Sequence, residues 1–275
     1  MSLSVILPAH DEAGYLAACL SALLRSDGVA GQIVVVANGC RDDTATVARR
    51  FAQEAARRGW TLNVIETPEG GKLNAMNLGD GAATWDLRLY LDADVIVSPP
   101  LLAQIVEALG QPAPRYATGS PRVSRAQSPV TRAYARFWSG LPFVTHGAPG
   151  FGLYAVNAAG RARWGAFPDI ISDDTFVRLQ FAPEERLRLP ATYDWPMVEG
   201  FANLVRVRRR QNIGVEEIAR HHPDLLANDD ARHLGAGGVL RRLFRDPVAF
   251  AVYAAITLAV KSPLFANAGR WVRGR

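Results

Sequence analysis

Cysteine is almost absent. Only Cys19 and Cys40 occur in 275 residues, too few for a disulfide framework or a zinc cluster and suited to a reducing cytoplasm. Lysine is as scarce: Lys72 and Lys261 are the two lysines among 31 basic residues, so Lys72, beside a Gly-Gly turn, stands apart from an arginine-based chain. The apolar run Pro247 to Val260 has 14 residues, short of the roughly 20 that span a bilayer, and reads as a core or interfacial helix. Residues 1–5 lead with no basic region ahead of a signal-length apolar run, which gives an expectation of no secretion. No Gly-x-Gly-x-x-Gly follows the first strand-like run, and no Gly-x-x-x-x-Gly-Lys-Ser/Thr occurs. Dinucleotide-binding and P-loop readings therefore lose their main support.

What is present is an ordinary globular composition, 49% hydrophobic and 21% charged, which argues against a mainly disordered chain. The net charge of +5 is unevenly placed. Up to Val205 there are 18 Lys+Arg against 20 Asp+Glu, and from Arg206 onward 13 against 6. The basic last quarter suits phosphates, an anionic membrane surface or a solvated helix face. Nucleic acid is excluded as a partner because no platform of aromatics is interleaved with these arginines.

The pattern along the first hundred residues alternates. Ser4–Pro8, Gln32–Ala37, Leu62–Glu66 and Leu87–Leu91 are short apolar runs that read as strands, and Ala13–Arg25, Asp43–Arg58 and a run up to Ala83 have helical spacing. Continuous apolar strands alternating with amphipathic helices predict an α/β fold with a mostly parallel sheet covered on both faces. In such sheets ligands bind beyond the carboxyl ends of the strands. Each run here ends in a polar cluster: His10-Asp11-Glu12, Asn38 to Asp43, Glu69 to Lys72, and Asp92-Ala93-Asp94. These clusters are expected to converge on one sheet edge.

Asp92-x-Asp94 closes an apolar strand. In extended backbone, residues i and i+2 point to one side, so both carboxylates could face one Mg²⁺ or Mn²⁺ bridging a diphosphate; the plain alternative is strand termination and helix capping. Asp173-Asp174 precedes Thr175-Phe176-Val177 where a helix would open. There the choice is between capping the helix and removing a proton from an attacking hydroxyl, with each carboxylate raising the other's pKa. Gly70-Gly71-Lys72 with Asn74 and Asn77 can set backbone amides and one ammonium beside a phosphate. His146, ahead of the glycine-rich turn Gly147–Gly152, reads as structural.

In order along the chain, Val5–Glu12, Val34–Thr44, Gly71–Gly79, Leu91–Asp94 and Ile171–Thr175 resemble the motifs of family 2 glycosyltransferases, inverting enzymes with the GT-A fold. The resemblance runs from Ser2 to about Gln211. It implies a Rossmann-like nucleotide-diphospho-sugar transferase domain over residues 1–212, with a nucleotide-binding half to about 110 and an acceptor half over 111–212. A basic helical extension over 213–275 has no counterpart in it.

The same resemblance implies roles by position. Pro8, Ala9, Asp11, Glu12 and Asn38 would line the nucleoside pocket, Lys72 would lie by the ribose or diphosphate, and Asp92, Ala93 and Asp94 would hold the metal–diphosphate, with Mn²⁺ or Mg²⁺ on Asp92 and Asp94. Asp174 matches the catalytic base and Asp173 the acidic position before it. Arg208, Arg209 and Arg210 would neutralise the departing diphosphate, and Phe151 falls on the acceptor side. Donor and acceptor would be a nucleoside-diphosphate sugar, UDP-linked by default, and a hydroxyl on a lipid-linked or cell-envelope glycan precursor. Many relatives carry Asp where Asn38 stands, which leaves guanosine and thymidine open. Processive synthases carry Gln-x-x-Arg-Trp; here Arg210-Gln211-Asn212-Ile213-Gly214 lacks the tryptophan. Arg241-Arg242-Leu243-Phe244-Arg245 before the apolar run suits an anionic membrane, so the expected location is the cytoplasm, peripheral on the inner membrane face. The competing readings are a sugar-phosphate nucleotidyltransferase, which leaves Asp173-Asp174 without a task, and a non-catalytic nucleotide-binding scaffold.

Overall fold

The computed structural model describes residues 2–232 and 234–263. The chain runs β1 (Leu3–Ala9), α1 (Ala13–Leu24), β2 (Gly31–Asn38), α2 (Thr44–Arg49), α3 (Ala52–Arg57), β3 (Thr61–Thr67), α4 (Lys72–Gly81), β4 (Leu87–Leu91), β5 (Ile96–Val97) and α5 (Leu101–Leu109). It continues through β6 (Tyr116–Val123), α6 (Pro129–Trp138), α7 (Pro142–Thr145), β7 (Leu153–Val156), α8 (Ala158–Arg161), α9 (Asp173–Leu179), β8 (Arg186–Trp195), α10 (Phe201–His221), α11 (Ala236–Arg245) and α12 (Pro247–Lys261). The predicted single helix Asp43–Arg58 is instead two short ones. It breaks where the Phe51 N–H bonds the Ala48 carbonyl, one residue nearer than an α-helical bond.

Contacts group the chain into two compact units. One comprises residues 1–122, 150–169 and 173–195; the other comprises 123–149, 170–172 and 196–275. The first holds the eight-stranded sheet, in the order β3-β2-β1-β4-β7-β6-β8-β5. Strands β1, β2, β3 and β4 pair in parallel, Val5 opposite Ile33 and Leu89. The parallel run ends at β4, which pairs antiparallel with β7, as β7 does with β6 and β5 with β8.

Burial on both faces explains why the first strands are unbroken apolar runs rather than alternating ones. Leu3, Val5, Leu7, Ile33 and Val35 join the main core with Leu16, Leu20 and Leu23 of α1, whereas Val34 and Val36 pack on the opposite face with Ala75 of α4. Helix α4 lies close on the sheet because residue 79 is glycine: a Cβ there would come within 2.7 Å of Ile6 Cγ2. That close seat holds the N-terminal end of α4, and with it Lys72, near the ends of β1 and β2.

In the second unit α6 packs on α12 through Tyr134, Phe137, Phe250 and Tyr253, with the Phe137 and Tyr253 rings 4.3 Å apart. Helix α12 reaches the length expected of the C-terminal apolar run, and among the described residues no helix is long and apolar enough to cross a membrane.

Candidate active site

The polar clusters at the ends of β1, β2 and β4 and ahead of α4 do meet, and all lie in the first unit. Asn38, the last residue of β2, is their strut. Its buried Nδ2 donates to the Ala9 carbonyl at 2.8 Å and to Val36 O at 3.3 Å, and its Oδ1 accepts the Gly71 N–H at 3.0 Å. One amide thus joins the end of β1 to the start of α4. A buried amide so engaged stiffens the pocket, and its hydrogen-bonding groups are taken up by backbone rather than offered to a base.

The turn after β1 is held from β2 as well. Asp11 has a left-handed backbone, φ 52°, and its Oδ1 accepts the Arg41 N–H at 2.5 Å. The Glu12 N–H donates to Thr44 Oγ1 at 2.7 Å, and His10 Nδ1 meets the Asn38 carbonyl at 2.6 Å. Cys40 Sγ accepts the Asp11 N–H at 3.4 Å. Pro8, Asp11 and Glu12 are half-buried and Ala9 buried, and the Asn38 amide holds the Ala9 carbonyl at the end of β1. Asn77 is used differently from the expected phosphate contact. Its amide makes a paired bond with the backbone of Phe167, 2.7 and 3.2 Å, and so fixes the segment ahead of Asp173.

Lys72 is the centre of charge. Its Nζ lies 2.8 Å from Asp92 Oδ1 and 3.0 Å from Asp173 Oδ1. Burial alone would lower the ammonium's pKa, but Asp173 and Asp92 outweigh it and hold the group protonated, above its ordinary range. Asp92 stands just past the end of β4, at the first position of a turn. The Val95 N–H bonds the Asp92 carbonyl at 3.2 Å, so Asp92–Val95 is a turn, and the strand alternation expected to align Asp92 with Asp94 does not apply. The Asp92 N–H is anchored instead on the Gly152 carbonyl at 2.9 Å. Gly152 has φ 74°, and a Cβ there would meet Trp195 Cδ1 at 2.8 Å. That anchor depends on a glycine for both shape and space.

Asp173 and Asp174 open α9. They are not equivalent. Asp173 is buried, with Oδ1 on Lys72 and Oδ2 accepting the Tyr154 hydroxyl at 3.1 Å; burial and Asp173 push the Tyr154 phenol's pKa up, so it stays a donor. Asp174 is half-buried and takes the Thr175 N–H on Oδ1 at 2.7 Å. Desolvation, then repulsion by Asp173, raise its pKa to about 6 against the lowering effect of Lys72 and the Thr175 N–H. A carboxyl poised there can accept a proton near neutral pH.

A divalent cation fits this end of the sheet by donor chemistry. Asp92 and Asp94 are half-buried carboxylates two residues apart, hard oxygen donors suited to Mg²⁺ or Mn²⁺. Ala93 between them is buried in the main core. His10, Asp11 and Cys40 also bring one ligand-type atom each within 4.8 Å of one another. Arg208, Arg209 and Arg210 lie in the second unit, half-buried on α10. Arg208 bonds Thr257 Oγ1 at 2.7 Å and the Tyr253 hydroxyl at 3.0 Å. Arg209 donates to the carbonyls of Val260, Ala259 and Ser262, capping α12. Phe151 packs on Trp195, ring centroids 5.2 Å apart. His146 is exposed, its Nδ1 2.9 Å from Thr145 Oγ1. Tyr154 carried no sequence signal and Gly152 only that of a glycine-rich turn, because their contacts with Asp173 and Asp92 come from the antiparallel neighbour strand and the turn before it, which no local pattern announces.

Comparison with known proteins places the family and the fold. The sequence is 30% identical over 107 residues to an uncharacterized glycosyltransferase of Nostoc, covering 39% of this chain and 32% of the relative. It is 30% identical over 112 residues to a PGL/p-HBAD biosynthesis glycosyltransferase of Mycobacterium bovis, covering 40% and 43%. The match thus spans less than half of either curated relative. In fold, the chain is similar to the mannosyltransferase PcManGT of Pyrobaculum calidifontis, solved with GDP-Man and Mn²⁺, at TM-score 0.59 and 20% identity over 94% of this chain and 76% of that one. It is also similar to TarS of S. aureus in complex with UDP-GlcNAc, at TM-score 0.55 and 16% identity over 94% and 82%. The sheet with its converging carboxylates is thus the GT-A architecture, and since the family model described as Glycosyl transferase family 2 matches residues 4–160, more than half of the chain, this protein belongs to that family.

Proposed function

We propose that the chain transfers a sugar from a nucleoside-diphosphate sugar to an acceptor hydroxyl by one displacement that inverts the anomeric carbon. The unequal placement of the two α9 carboxylates supports this most directly: Asp173 is tied on both oxygens, and Asp174 has the raised pKa of a general base. Asp174 takes the acceptor proton as the hydroxyl attacks. The bond to the diphosphate oxygen breaks on the opposite face, and negative charge grows there. Lys72, kept cationic by Asp92 and Asp173, stands where that charge develops, so its attraction strengthens toward the transition state. Asp92 and Asp94 would hold a divalent cation, which when bound supplies Lewis-acid stabilisation of the leaving diphosphate. Asp173, through Lys72 and Tyr154, positions rather than reacts.

The donor wall is Pro8, Ala9, Asp11 and Glu12, braced by Asn38. A uridine diphosphate sugar is the first donor to test, since one structural neighbour was solved with UDP-GlcNAc, and GDP-mannose the second, since another was solved with GDP-Man. The acceptor belongs to a cell-envelope glycan or glycolipid precursor, in keeping with the PGL/p-HBAD biosynthesis relative. The test is calorimetric titration of UDP, GDP, dTDP and CMP with and without Mn²⁺, on the parent, Asp94→Ala and Asp174→Asn. Metal-dependent binding of one diphosphate, weakened in Asp94→Ala and retained in Asp174→Asn, is expected. Binding of none, or metal-independent binding equal in all three proteins, would refute the proposal.

A further inference from the structure

We infer that the outward faces of α11 and α12 form a docking surface for an anionic lipid bilayer. This deepens the proposed reading by naming the surface on which a lipid-linked acceptor is met, and it rests on that reading for this consequence alone.

Helix α11 has ten residues and none is buried. At about 100° per residue, Val239, Leu240, Leu243 and Phe244 share one arc, and Arg241, Arg242 and Arg245 share the other. A folded domain normally turns such an apolar arc inward; here Phe244 is 78% exposed and Leu240 54%. Helix α12 repeats the anomaly. Its inward side carries Ala249, Ile256 and Ala259, yet its exposed positions Val248, Ala251, Ala255 and Leu258, spaced three to four residues apart, are apolar as well. Val248 is 61% exposed and Leu258 69%. Two successive helices thus leave their apolar sides without a protein partner among the described residues of this chain.

Charge identifies the occupant. From Ala236 to Lys261 the basic residues are Arg241, Arg242, Arg245 and Lys261, against Asp246 alone. Asp246 is already neutralised: it pairs with Arg136 at 2.7 Å and caps α12 through the Ala249 N–H. Arg242 is held on the Gly140 carbonyl, while Arg241 and Arg245 are exposed. An apolar face flanked by arginines matches acyl chains under anionic headgroups. The fifteen residues of α12 extend about 22 Å at 1.5 Å each, less than the roughly 30 Å of a hydrocarbon core, so the helices lie in the interface rather than across it.

The test is flotation of the full chain with vesicles of phosphatidylcholine alone and of phosphatidylcholine mixed with phosphatidylglycerol, at low and high salt. Flotation is expected with the mixed vesicles, weakened by salt. The double variant Leu240→Ser/Phe244→Ser should weaken partition by at least about tenfold, and Arg241→Gln/Arg245→Gln by about fivefold for each charge removed. Both should retain the parent's melting midpoint, because the altered side chains are not buried. No flotation with anionic vesicles, or flotation unchanged in the Leu240/Phe244 variant, would overturn the inference. So would self-association of the parent without flotation, abolished by that variant, which would make the face an interface between two copies. Nucleotide calorimetry on the same proteins separates the claims: nucleotide binding without flotation refutes only the docking surface, and flotation without nucleotide binding refutes only the transferase reading.

Discussion

Replacing Lys72 by methionine keeps the volume of the side chain and removes the ammonium that faces Asp92 and Asp173. The larger loss is at Asp173, whose side chain is only 6% exposed and 3.0 Å from Nζ. At an effective dielectric near 20, a pair about 3 Å apart attracts by roughly 5 kcal/mol, of which desolvation of the ammonium cancels about half. The contact with Asp92, about a third exposed, adds at most about 1 kcal/mol. Lys72→Met should therefore destabilise the fold by about 2–3 kcal/mol at about pH 8. The pH dependence carries the test. Asp174 already has a folded-state pKa raised to about 6, and Lys72 is among the groups holding it down. A carboxyl raised above its unfolded value contributes stability that is present below the unfolded pKa and lost as pH rises through the folded one. Without Lys72 the folded pKa rises further, so the variant's deficit should shrink as pH falls toward about 4. Urea unfolding followed by tryptophan fluorescence at both pH values measures it. A deficit equal at the two pH values, or none at the higher, would refute the charge arrangement described for this site.

Asp174→Asn should lower turnover by about 10²- to 10⁴-fold with the donor's dissociation constant little changed, while the parent's rate should fall with unit slope below about pH 6 as Asp174 becomes protonated; a parent profile flat through that range would assign the base elsewhere. Asn38→Ala removes the acceptor of the Gly71 N–H and the stronger donor to the Ala9 carbonyl and should cost about 1–3 kcal/mol in chemical unfolding; an unchanged midpoint would show that Asn38 braces nothing. Gly152→Ala places a Cβ against Trp195 at a positive φ, so it should lose about 1–3 kcal/mol and weaken metal-dependent nucleotide binding through Asp92. Binding and stability equal to the parent would remove Gly152 from the site.

Much of this was legible in the chain itself. The runs at β1, β2 and β4 are strands because a parallel sheet buried on both faces needs unbroken hydrophobic segments, and β3, at the sheet edge, is part-exposed along its length; all four lie where the pattern puts them. The glycine before Lys72 and the acidic pair ahead of Thr175 mark helix starts by local chemistry, so α4 and α9 open at those residues. The family motifs, in order, identified the architecture. Local pattern could not tell that the sheet continues antiparallel after β4, because β7 and β8 reach it from far along the chain.

The sequence by itself determined which residue types stand at the strand ends, since periodicity and turn chemistry act over a few neighbouring positions. Only the tertiary structure decided how they are used. Asn38 became a strut and Asn77 a clamp on Phe167 because burial obliges their amides to find backbone partners. Arg208 and Arg209 became attachments for α12 because carbonyls and hydroxyls about 50 residues away lay within reach of α10. Asp173 and Asp174, alike as neighbours in the chain, were separated by Lys72 and Tyr154, which occupy one carboxylate and leave the other, desolvated and repelled, with its pKa raised to about 6. Electrostatic roles are set by distances in space, and those exist only once the chain has folded.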